Sequence, residues 1–117
     1  MHNFKDLKVW QKAVDFAVSI YQVSVCFPNE EKFGLTSQMR RAGVSIPSNI
    51  AEGSARTSKK AFANSLEISL GESFELETQL EIAKRVGFLD KDQMNELNGN
   101  LSEIQRMLFG LKSSLES

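Results

Sequence analysis

The residues that could carry covalent or metal chemistry are few: one histidine, His2, one cysteine, Cys26, and the hydroxyls that flank Pro47. A metal-binding helical bundle projects Glu-x-x-His pairs inward, and a chain whose histidine stands at position 2 does not supply them. Cys26 has no histidine near it in sequence and no second cysteine to pair with, so it reads as a small core hydrophobe. Gly34, Gly43 and Gly53 are spaced too widely for a phosphate-cradling loop. Ser45 and Ser48 are expected to bond backbone groups freed by the proline between them, not to act as nucleophiles. No catalytic residue, metal, cofactor or small-molecule substrate is expected.

Charge is more informative. The 117 residues carry a net charge of −1, which gives no global argument for nucleic acid or a membrane. The halves differ, however: residues 1–60 hold nine Lys/Arg against five Asp/Glu, and residues 61–117 hold five against ten. Glu67, Glu72, Glu75, Glu77 and Glu81 crowd one segment, either as a solvated face or as partners for Arg40 and Arg41.

The elements that must position these groups are helices. From about Leu7 to Cys26 no Gly or Pro interrupts two adjoining apolar stripes. One is Leu7, Trp10, Val14, Ala17 and Tyr21; the other is Val9, Ala13, Phe16, Ile20, Val23 and Phe27. A helix apolar over more than the usual stripe of about 100° has a second face to bury, in an enclosed position or a subunit interface. Trp10 and Tyr21 therefore read as core or interface and not as platforms for stacking bases. Residues before about Asp6 read as a loose tail that includes His2, and Phe27-Pro28 ends the first helix.

A second helix is predicted from about Phe33 to Ala55, with Leu35, Met39, Ala42, Ile46 and Ile50 on its apolar face. Its small or polar face, Ser37, Arg41, Val44, Ser48 and Ala51, would let a neighbour approach closely. Pro47 presses on the carbonyl of Gly43, so one kinked helix is expected in preference to two short ones. Gly53 to Ser58 should form a turn, with Thr57 or Ser58 capping a third helix from about Lys59 to Val86. Its stripe is Phe62, Leu66, Leu70, Phe74, Leu76, Leu80 and Ala83, and Gly87 fits its C-cap. A fourth helix, about Asp90 to Leu115, carries Met94, Leu97, Leu101, Ile104, Leu108, Leu111 and Leu115 in strict steps of three and four. Nothing alternates with period two. The expected fold is all-α, one domain over residues 1–117, an antiparallel up-down-up-down four-helix bundle.

That topology places two charge constellations. If the second and third helices form a hairpin, positions summing to about 115 share a level, which sets Arg40 and Arg41 beside Glu75 with Glu72 one turn away. A partly buried structural ion pair is expected there. The start of the first helix, the turn between the second and third, and the end of the fourth share one end. Lys5, Lys8, Lys12, Arg56, Lys59, Lys60 and Lys112 gather there, against Asp6, Glu52 and Glu116.

The run Phe4 to Ala13, the run Gly34 to Ala42 continuing through Ser45-Ile46-Pro47-Ser48-Asn49-Ile50-Ala51-Glu52-Gly53, and Glu75 to Leu80 resemble the 23S rRNA intervening-sequence proteins. The resemblance spans nearly the whole chain. It implies an antiparallel four-helix bundle assembled as a ring-shaped homopentamer, in a family with no established enzymatic activity. It also implies kinship with the accessory proteins of diversity-generating retroelements, which bind nucleic acid and a reverse transcriptase. Gly43 stands where alanine is usual in that family, and Ala55 where glycine is common.

Two functions follow as expectations. In one, a homo-oligomer binds RNA or DNA through a basic rim formed by repeating Lys5, Lys8, Lys12, Arg56, Lys59, Lys60 and Lys112 around the ring. In the other, the ring is a scaffold that recruits a partner protein, and the lysines keep an exposed end soluble. With no leader or membrane-spanning run read from the chain, no membrane partner and a cytoplasmic location are expected.

Overall fold

The computed structural model describes residues 3–116, so the expectation for His2 lies outside the described residues. Four helices make up the fold: α1 (Lys8–Ser24), α2 (Leu35–Ser54), α3 (Lys59–Arg85) and α4 (Lys91–Glu116), with no strand among the described residues. Each packs on two neighbours, α1 on α2 and α4, and α3 on the same two. The result measures 43 × 24 × 20 Å. At its centre lie Ile20, Met39, Ile46, Ile50, Leu66, Leu76, Leu80, Leu101, Ile104 and Leu108, all almost fully buried. Side chains of this size contribute about 1.5–3 kcal/mol each when taken out of water.

The helix ends follow local chemistry. The Ser58 hydroxyl accepts from the Ala61 N–H at 3.0 Å and caps α3. At the other end of α3, Gly87 takes a φ of 88°, which an L side chain resists. There the N–H groups of Gly87 and Phe88 donate to Lys84 and Ala83. A reciprocal pair opens α4: Asp90 accepts from the Gln93 N–H at 2.8 Å and donates its own N–H to Gln93 Oε1 at 3.0 Å.

α2 runs through Pro47 as one helix. The flanking hydroxyls do not go to the carbonyl that the proline frees. Ser48 donates to Val44 and Ser45 accepts from Asn49; a helical hydroxyl reaches back three or four residues, and the Gly43 carbonyl lies five before Ser48 and two before Ser45. The tightest packing is between α2 and α3. A Cβ on Gly53 would stand 2.5 Å from Cβ of Ser65 and 2.9 Å from Phe62. Farther along, the buried Ser69 hydroxyl donates to the Ile46 carbonyl at 2.9 Å.

Several expectations are corrected. The segment ahead of α1 is ordered where it is described: Asn3 caps a one-turn 3-10 helix, Phe4–Asp6, and Phe4 meets the edge of Trp10 with ring centroids 5.1 Å apart. Helix α1 ends at Ser24, which leaves Cys26 exposed in the turn; the next residue, Phe27, turns inward and packs on Phe88 at 5.4 Å. On α3, Phe74 is about half exposed, while Ser69 and Ser73 are fully buried. The buried stripe steps by three from Leu70 to Ser73, and the close approach of α2 favours a small residue there. Gly53 and Ser54 belong to the last turn of α2 and not to the connection.

Candidate functional site

An apolar groove is left uncovered between α1 and α2. It measures about 500 Å³ and is lined by Trp10, Val14, Val18, Tyr21, Val44 and Pro47, with Phe4 at one end. Its walls come from the first of the two α1 stripes and the small-residue face of α2. Ser48 and Ala51 keep the floor low, so a shallow apolar trough replaces the ridge that larger side chains would build. Val18, Tyr21 and Val44 are each more than 40% exposed, at 49%, 45% and 43%.

At the basic end, the structure divides the seven cations into two groups. Lys12 pairs with Glu103 of α4 at 2.6 Å, Arg56 with Glu52 at 2.6 Å, and Lys112 with Glu116 at 3.1 Å. The Lys12 ammonium, bonded to Glu103, holds that carboxyl below its ordinary range. Lys5, Lys8, Lys59 and Lys60 enter no ion pair among the described residues. Lys59 and Lys60 open α3 just after its Ser58 cap, and both are exposed. Phe4 lines the same groove as Ala51, and Lys12 reaches Glu103. The beginning of α1 therefore lies against the later parts of α2 and α4.

Among the described residues, the expected arginine–glutamate pair is not formed. Successive residues on a helix point about 100° apart, so Arg40 and Arg41 leave α2 in different directions. Arg40 turns to α1, where Nε donates to the buried Ser24 hydroxyl at 2.9 Å and Nη2 to the Tyr21 carbonyl at 3.4 Å. Its guanidinium also lies 4.7 Å from the centre of the Tyr21 ring. Arg41 faces α3 across a cleft of about 520 Å³ shared with Gln38, Glu72 and Glu75. Among the described residues, no ion pair closes that cleft. Burial first, and the Glu75 carboxylate second, push the Glu72 carboxyl up, with Arg41 pulling it back.

A cluster that periodicity passed over lies where α1 ends and α2 begins. Tyr21, Lys32, Phe33, Thr36, Arg40 and Arg41 line a hollow of about 370 Å³. Phe33 precedes α2 instead of opening it, and 90% of its surface is exposed. The available signal was a phenylalanine beside a lysine, with two arginines a helical turn or two onward.

Among the described residues, no group of three or more His, Cys, Asp or Glu could hold a metal ion, and no helix is long and apolar enough to cross a membrane.

The sequence matches the family of 23S rRNA-intervening sequence proteins over residues 5–110. No curated protein matches it. Among solved structures, a protein of unknown function from the S23 ribosomal protein family of Bacteroides thetaiotaomicron is 33% identical, with a TM-score of 0.83. The match covers 90% of this chain and 95% of that one. The fold, the extent of the sequence match and the structural likeness agree: the chain belongs to the 23S rRNA-intervening sequence protein family.

Proposed function

We propose that this chain works by assembly and not by catalysis. It forms a homo-oligomer through the α1–α2 groove, a pentamer by its family resemblance, and presents a ring of basic ends to RNA or DNA. The observation that carries the reading is the groove itself. A continuous apolar trough of about 500 Å³, walled by Trp10, Val18, Tyr21, Val44 and Pro47, is costly to leave in water and suits a second protein surface. Rotation about a closed axis would repeat Lys5, Lys8, Lys59 and Lys60 on every subunit, so that a modest excess on one chain becomes a positive rim.

A second reading has an observation of its own. Three of the seven cations are already paired with Glu103, Glu52 and Glu116, which favours a scaffold that recruits a partner protein. Binding to structured RNA, followed against salt concentration, separates the two. Phosphate contacts release counterions, so a basic rim predicts affinity that falls steeply with salt. Replacing Arg56, Lys59 and Lys60 together by glutamine should flatten that slope by about one contact for each phosphate-bound cation lost. If the triple variant binds as the parent does at every salt concentration, the rim is not the site.

A further inference from the structure

We propose that the hollow between the end of α1 and the start of α2 is a stacking site for one unpaired base of a single-stranded nucleic acid, with Lys32 and Arg41 receiving the flanking phosphates. The site is separate from the basic end and does not depend on it. Three observations converge on it. Phe33 presents a phenyl ring to water with 90% of its surface exposed, outside the helix and outside the core. The Lys32 ammonium lies 5.5 Å from the centre of that ring, and Arg41, also exposed, makes no ion pair among the described residues. No carboxylate lines the hollow, whose volume of about 370 Å³ falls in the range of ligand pockets, about 300–1,000 Å³.

The neighbouring groups fit this division of work. Arg40 is committed to Ser24, to the Tyr21 carbonyl and to the Tyr21 ring, so it forms a fixed cationic wall. Glu31 is turned back on α2, where its Oε1 accepts from the Leu35 N–H at 3.1 Å. Glu72 and Glu75 line the adjoining cleft on the other side of Arg41. An exposed aromatic ring beside mobile cations is how proteins hold unpaired nucleotides, since every base has a face to stack and every linkage a charge. An acidic protein segment would use the cations and leave Phe33 idle.

The test compares a short single-stranded oligoadenylate with an abasic oligomer of equal length and charge, on the parent, on Phe33→Leu, and on the triple glutamine variant of Arg56, Lys59 and Lys60. The parent should prefer the oligoadenylate by about tenfold, the scale of one base–aromatic stack. Phe33→Leu should erase that preference while leaving the abasic affinity unchanged; the side chain is exposed, so the fold is not at stake. The triple variant should keep the ratio whatever it does to the salt slope. Equal affinity of the parent for the two oligomers overturns the proposal, as does no binding of either or a Phe33→Leu protein that retains the preference. An unaltered salt slope in the triple variant sinks only the basic rim.

Discussion

Gly43 and Gly53 lie ten positions apart on α2 and face different constraints. A methyl group on Gly43 would meet the α1 backbone at Ala17 and the Ile20 side chain at 3.7–3.8 Å, ordinary contact distances. On Gly53 it would overlap Ser65 and Phe62. Gly43→Ala should therefore stabilise the fold by about 0.5–1 kcal/mol, the difference between alanine and glycine inside a helix. Gly53→Ala should destabilise it by about 1–3 kcal/mol through overpacking. Urea unfolding at one fixed protein concentration checks both, and the same sign for the pair would contradict the packing described. At this scale the sequence was only partly legible. It marked Gly43 as a departure from family habit, but the fit of an alanine there depends on a distance to Ala17 that no spacing rule contains. Arg40 and Arg41 were placed at the right level of α2, yet their rotamers were not legible, and Arg40 chose a buried serine on α1 over a glutamate on α3. Phe33 was read only as the start of the second helix, and no periodicity marked its ring as exposed.

The elements were read more fully, because burial imposes period and period survives in the sequence. The stripe Met94, Leu97, Leu101, Ile104 and Leu108 is buried as expected, and Leu111 and Leu115 pack against its edge. On α1 the second stripe went into the core and the first became the wall of a groove, as an over-wide apolar surface requires. Helix ends were less legible. α1 ends at Ser24, whose hydroxyl donates to the Ile20 carbonyl at 2.7 Å, and Cys26 is left outside the core that sequence alone assigned to it. Phe4 looked like part of a tail because its partner, Trp10, lies across a one-turn helix that carries no apolar repeat. The start of α4 rests on the reciprocal pair of Asp90 and Gln93. Asp90→Ala removes the acceptor for the Gln93 N–H and should cost about 1 kcal/mol. Hydrogen exchange should show faster exchange confined to the first turn of α4. Uniform loosening of the whole helix would mean that the cap is not what fixes that end.

For the whole molecule, the core and the open surface divide by purpose. The four helices bury a complete core without help from another chain, so the groove is surplus apolar surface and not a defect of packing. Val18, Tyr21 and Val44 project into it from two rigid helices, an arrangement suited to a fixed interface more than to an adaptable one. Assembly is also what would give the basic end its effect, since Lys5, Lys8, Lys59 and Lys60 enter no ion pair among the described residues and a ring multiplies them. Everything above the level of one chain therefore rests on self-association through α1 and α2. The direct measurement is the mass in solution by light scattering at micromolar concentration, for the parent and for a Val44→Asp variant. A stable oligomer, of pentameric mass, is expected for the parent and a folded species of lower mass for the variant. A parent that stays monomeric across that range, or a variant that keeps the parent's mass, would contradict it.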